Sequence, residues 1–133
     1  MRASESFEPS ADQVQRARRF VSRALGSKAE AAAPDALLLV SELATNAVLH
    51  ARSDFTVTVT VRKQVVRVEV FDRNTRIPGM PNVPTDAASG RGLMLVKALA
   101  NRWGIETFPD QGKSVWFELS LSNGRVPHHG ERD

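Results

Sequence analysis

Glu42 and Asn46 stand four residues apart, and Glu42 is the only charged residue between Ala36 and Leu49. At that spacing both side chains leave the same face of a helix. A carboxylate and an amide on an otherwise apolar helix are costly unless they find partners. Two readings are open. Glu42 accepts a hydrogen bond from Asn46 as a structural pair, or both line a polar cavity. In a cavity, a carboxylate takes a proton or orients a nucleophile. An amide oxygen there is a hard ligand of the kind magnesium accepts. Further along, Asp72 closes an alternating stretch just before Pro78, Pro81 and Pro84. It is either an ordinary capping residue or a carboxylate that accepts a hydrogen bond from the exocyclic amine of adenine. Ser89-Gly90-Arg91-Gly92-Leu93 leads into another helical stretch. Glycines there let the backbone approach an anion, and a helix start offers free N–H groups. Gly112-Lys113-Ser114 precedes the last strand. It is an ordinary turn, or it brings the Ser114 hydroxyl beside Asp72 and leaves Lys113 near the mouth of a cleft.

These residues need elements to hold them. Residues 10–25 carry Val14, Ala17, Val21 and Leu25 near helical spacing, with Ser10 as a candidate cap and Gly26 as a stop. A second helix is predicted over 34–51, with Pro34 in its first turn. It is apolar nearly all round and should be buried on most sides. Leu38, Leu39 and Leu49 fall on the same side as Glu42 and Asn46. Residues 55–61 and 65–71 alternate strictly and are rich in β-branched types, which predicts a hairpin through 62–64. Periodicity stops between Asp72 and Ser89, where prolines forbid a regular element. A loop of that length in a compact domain is often functional, for instance a lid. A third helix is predicted from Gly90 to about Arg102, with Ser89 as its cap. Strands over 104–108 and 114–120 complete the sheet. The order predicts an α+β fold, a two-layer sandwich of a mixed, largely antiparallel sheet covered by helices.

The chain has 133 residues, room for one core. Residues 1–9 are expected as an N-terminal arm, 10–122 as the domain and 123–133 as a flexible tail. There is no cysteine, which excludes disulfides and cysteine-type zinc sites. Of the three histidines, His128 and His129 lie in the polar tail. No apolar run is expected to span a bilayer, and no signal peptide is evident, so a cytoplasmic protein without a membrane partner is expected. The net charge of +3 is concentrated in Arg16, Arg18, Arg19 and Arg23. Without an aromatic reading motif this is a solvated helix face or a docking surface for an acidic protein patch, and no nucleic-acid partner is expected.

The order of these motifs resembles the GHKL (Bergerat) ATP-binding superfamily. Residues 41–51 (SELATNAVLHA) resemble its N box. Residues 72–78 (DRNTRIP) resemble its first glycine-box region, and 89–93 (SGRGL) the second. Residues 112–117 (GKSVWF) resemble its closing strand motif. The likeness covers residues 16–121, and the short stand-alone form resembles the anti-sigma-factor serine kinases. The resemblance implies ATP and Mg2+ as cofactors. It implies Glu42 as the catalytic carboxylate, Asn46 as the magnesium ligand and Asp72 as the adenine anchor supported by Ser114. Asn74, Gly90, Arg91, Gly92, Leu93 and Lys113 would complete the nucleotide site. The first glycine box often reads Asp-x-Gly, whereas this chain has Asp72-Arg73-Asn74. The implied reaction is phosphorylation of an anti-sigma-factor antagonist, with a sigma factor as a competing partner and a homodimer as the assembly. The alternative is a non-catalytic ATP-gated protein-binding module in partner switching.

Overall fold

The computed structural model of the chain describes residues 1–74 and 87–121, with side chains for the latter stretch from Gly92 onward. The proline-rich loop with Pro78, Pro81 and Pro84, and the tail over 123–133, lie outside the described residues. In chain order the elements are β1 (Arg2–Phe7), α1 (Ala11–Leu25), α2 (Ala33–Asn46), β2 (Phe55–Arg62), β3 (Val65–Asp72), α3 (Ala87–Leu99), β4 (Arg102–Phe108) and β5 (Gly112–Ser120).

The strands form one sheet in the order β1-β2-β3-β5-β4, and every pairing is antiparallel. The expected mixed character is therefore absent among the described strands. Helices pack on one face only, α1 on β1 and β2, α2 on β3, and α3 on β4. This is the predicted two-layer α+β sandwich.

Alternation explains which face each strand buries. Val57 and Val59 of β2, Val66, Val68 and Val70 of β3, and Val115, Phe117 and Leu119 of β5 lie beneath the helices. The intervening residues face away from them. Thr56 and Thr58 there share hydrogen bonds with Ser6 and Ser4 of β1 at 2.8 and 2.9 Å. Val68 is fully buried at the centre of the sheet. Val68→Ala is expected to lower stability by about 2 kcal/mol through lost burial and a residual cavity. Urea denaturation at unchanged slope would measure this.

Residues 2–7, expected as part of an arm, are an edge strand paired with β2 from Arg2↔Thr60 to Phe7↔Phe55. Only Phe7 of this strand is buried, stacked on Phe55 with ring centroids 5.4 Å apart. A strand with one core residue shows no hydrophobic alternation, so its local sequence gave no strand signal.

Helix α1 buries Ala17, Phe20, Val21 and Leu25 and packs along α2. Ser10 precedes it without capping a backbone amide. Its hydroxyl donates instead to Asp12 Oδ1 at 2.7 Å, and this bond holds the Asp12 carboxyl below its ordinary range. Arg16, Arg19 and Arg23 are exposed, while the Arg18 guanidinium donates to the Ser41 hydroxyl of α2 at 2.7 Å.

Helix α2 lies centrally, between α1 and α3 and above β3. Its helical neighbourhood, Glu30–Ala51, spans 22 residues and contains an 18-residue window with a mean hydropathy of 1.3, long and apolar enough by length and composition alone to cross a membrane. That corrects the expectation that no such run exists. The position explains the composition, because Ala36, Leu39, Val40, Leu43 and Ala44 fill the core from it. Burial is not all-round, however, since Leu38 and Leu49 are 39% and 51% exposed. After Asn46 the helix widens by one residue over Ala47–Ala51, where the Arg52 amide bonds the Ala47 carbonyl at 2.9 Å.

Candidate functional site

Two clusters collect most of the described candidate residues. The first joins α2 to α3. Glu42 and Asn46 are half-buried on α2, one turn apart, and α3 reaches them at Gly92. A Cβ added to Gly92 would stand 2.9 Å from Asn46 Nδ2 and 3.6 Å from Glu42 Cβ. Glycine allows this close approach, and a larger residue would push the end of the Asn46 amide aside. Asn46 Oδ1 is buried and has no hydrogen-bond partner among the described residues. An orphaned buried amide oxygen is uncommon and calls for an unplaced donor or cation.

Helix α3 starts earlier than expected. It begins at Ala87 and runs through Ser89 and Gly90, so Ser89 is inside the helix and does not cap it. Ala87 and Ala88 are good helix formers and extend it backward. The free amides of the helix belong to its first turn, upstream of Gly92. The side chain of Arg91 lies outside the described residues, and so does that of Gly90's other neighbour, Ser89. Leu93 follows Gly92 on α3 and is half-buried.

The second cluster is at the end of β3. Asp72 shares the parity of Val66, Val68 and Val70, so it faces the helices and is 6% exposed. Its Oδ1 accepts the Asn74 backbone amide at 2.9 Å, a turn characteristic of Asp that starts the following loop. Asn74 is not among the described non-glycine residues with positive φ, which are Arg52, Lys63 and Asp110. The backbone at this position therefore does not require the glycine of the Asp-x-Gly pattern.

Lys113 lies opposite Asp72 in the β3–β5 register. It is not near a cleft mouth. It is 5% exposed, and its Nζ donates to Asp72 Oδ1 and Oδ2 at 2.8 and 3.0 Å and to the Asn74 carbonyl at 3.3 Å. Ser114 pairs with Phe71 instead and stands on the opposite face of the sheet from Asp72. The expected Ser114 support is thus replaced by a lysine clamp. A signal for this was present in the sequence. Lys113 shares the parity of Val115, Phe117 and Leu119, so the core-facing member of the pair is the lysine.

Gly112 allows this register. Its φ is 149°, and a Cβ there would collide with the Asp72 carbonyl oxygen and stand 2.8 Å from Arg73 Cα. No side chain fits between the start of β5 and the end of β3.

The two clusters differ in chemistry. One offers a carboxylate and an unsatisfied amide oxygen beside the second turn of a helix. The other offers a buried carboxylate already paired with an ammonium. A family model described as "Histidine kinase-like ATPase domain" matches residues 7–119 of the chain. No curated protein matches it.

Proposed function

Because the chain belongs to the histidine kinase-like ATPase domain family, an ATP-binding fold of the GHKL type, we propose that it is a serine/threonine kinase of anti-sigma-factor type. Its protein substrate is a small anti-sigma-factor antagonist, and a sigma factor competes for the same protein. The observation that carries this reading is Asn46 Oδ1, buried and without a partner among the described residues, on a side chain one helical turn from Glu42 whose Nδ2 lies against Gly92.

That oxygen suits magnesium, which takes hard oxygen ligands and retains several waters. When bound, the ion would offset the negative charge of the triphosphate. Asn46 would hold it. The first turn of α3 supplies free amides and the positive end of a helix dipole to phosphate. Glu42 orients the incoming serine hydroxyl and accepts its proton as the oxygen attacks the γ-phosphorus, while the bond from that phosphorus to the β-phosphate oxygen breaks and ADP leaves. Asp72 accepts the exocyclic amine of adenine and sets the depth of the base. Positioning and fixed charges account for most of the rate in such a transfer.

Titrating ATP with and without Mg2+ tests the assignment. Wild type is expected to bind ATP more tightly with the ion. Asn46→Ala is expected to erase that difference, a loss of about tenfold in affinity for one charge-assisted contact. Equal magnesium dependence in the two proteins would remove Asn46 from the metal site.

A further inference from the structure

Asp72 and Lys113 form an ion pair that is nearly sealed from solvent, at 6% and 5% exposure. A carboxylate has about four acceptor positions, two on each oxygen. Among the described residues three are used. Oδ1 receives Lys113 Nζ at 2.8 Å and the Asn74 amide at 2.9 Å, and Oδ2 receives Lys113 Nζ at 3.0 Å. The ammonium donates a third bond to the Asn74 carbonyl at 3.3 Å. It is thus fully committed to this one carboxylate and its loop.

A buried ion pair does not by itself favour the folded state over an apolar pair of similar volume. Its effect on Asp72 as an acceptor is direct. An ammonium on both oxygens draws off the negative charge that strengthens a bond to an incoming N–H. It leaves one acceptor position, on Oδ2.

We infer that Lys113 is an internal competitor for the nucleotide base, holding Asp72 in a partly neutralised state and setting the affinity of the site for adenine. The inference rests on the reading of Asp72 as the base anchor. Entry of adenine places a second donor, the exocyclic amine, on a carboxylate that the lysine already occupies. The flexible stem of Lys113 lets the ammonium yield in part. Adenine nucleotides are held more weakly than a free carboxylate would hold them, and exchange faster. The lysine acts on the base and not on the phosphates, so its influence depends on the amine. Inosine triphosphate carries a keto oxygen where ATP carries that amine and gains nothing from a freed carboxylate.

Calorimetric titration of the full chain with Mg2+ and either ATP or inosine triphosphate tests this. Lys113→Met is expected to lower the Kd for ATP about tenfold and to leave that for inosine triphosphate unchanged or higher. Lys113→Gln, which keeps amide N–H donors without the charge, is expected to fall between wild type and Lys113→Met. Lys113→Met should also lower the melting temperature of the nucleotide-free protein, since Asp72 is then buried without a counter-charge. The double variant Asp72→Asn with Lys113→Met removes both charges, should fold, and should lose the gain in ATP affinity. ATP affinity that is unchanged or weaker in both Lys113→Met and Lys113→Gln, with Asp72→Asn still weakening ATP, overturns the inference and leaves the base anchor intact. If Asp72→Asn leaves ATP affinity unaltered in the otherwise wild-type chain, the base anchor itself falls and the competitor with it.

Discussion

Glu42→Gln is expected to slow phosphate transfer to the antagonist by roughly 100- to 10,000-fold, the range for removal of a general base. The substitution keeps the length and an acceptor oxygen but cannot take a proton. Glu42 is half-buried on α2, one turn before Asn46, and packed across from Gly92 of α3. An amide fits the same space, so the fold and the ATP Kd should remain close to wild type. A loss confined to the transfer rate marks an interaction made in the transition state. Single-turnover transfer from γ-labelled ATP, with a calorimetric Kd measured alongside, separates the two quantities. Undiminished transfer would remove Glu42 from the chemistry. ATP binding with no transfer from wild type to any antagonist would leave the non-catalytic, ATP-gated binding module.

Gly112→Ala is expected to have the largest effect on the fold, a loss of about 3 kcal/mol or more. Two penalties act together. The residue has φ of 149°, which side-chain-bearing residues rarely adopt. Its new Cβ would also collide with the Asp72 carbonyl oxygen and crowd Arg73 Cα at 2.8 Å. Both neighbours are backbone, so neither can rotate away. Relief requires β5 to separate from β3 at the position where Lys113 reaches Asp72, and nucleotide affinity should fall together with stability. Gly26→Ala is the internal control. Gly26 also has a positive φ, 58°, but its nearest neighbour to a new Cβ is the Arg23 carbonyl at 3.9 Å. That variant meets no steric clash and should incur only the strain of a glycine-type backbone, ψ −160° at this φ, on the order of 1–2 kcal/mol. Urea denaturation of the two proteins gives the difference. Equal losses would show that the close approach to Asp72 is not obligatory.

Local periodicity was enough for α1, the β2–β3 hairpin and β5, because each has its own buried stripe. Val57 and Val59, Val66 to Val70, and Val115 to Leu119 repeat every second residue, and Ala17, Val21 and Leu25 every fourth. Spacing alone also placed Glu42 and Asn46 on one helix face. The motif order, together with the match over residues 7–119, identified the ATPase family. Other features depend on partners far away in the chain. β1 is a strand because β2, from Phe7↔Phe55 to Arg2↔Thr60 far along the chain, accepts it; its own sequence has a single core residue. The apolar character of α2 has its cause in two flanking helices and a sheet, none of which is encoded within the helix. Asn46 Nδ2 and Glu42 Cβ come close to α3 because that helix meets them at a glycine. Lys113, not Ser114, meets Asp72 because β3 and β5 pair in one register, and a slip by one residue would exchange the two faces. Side-chain periodicity is a local property of the backbone and can be read along the chain. Register, close approach and charge pairing arise only when segments distant in sequence are packed together.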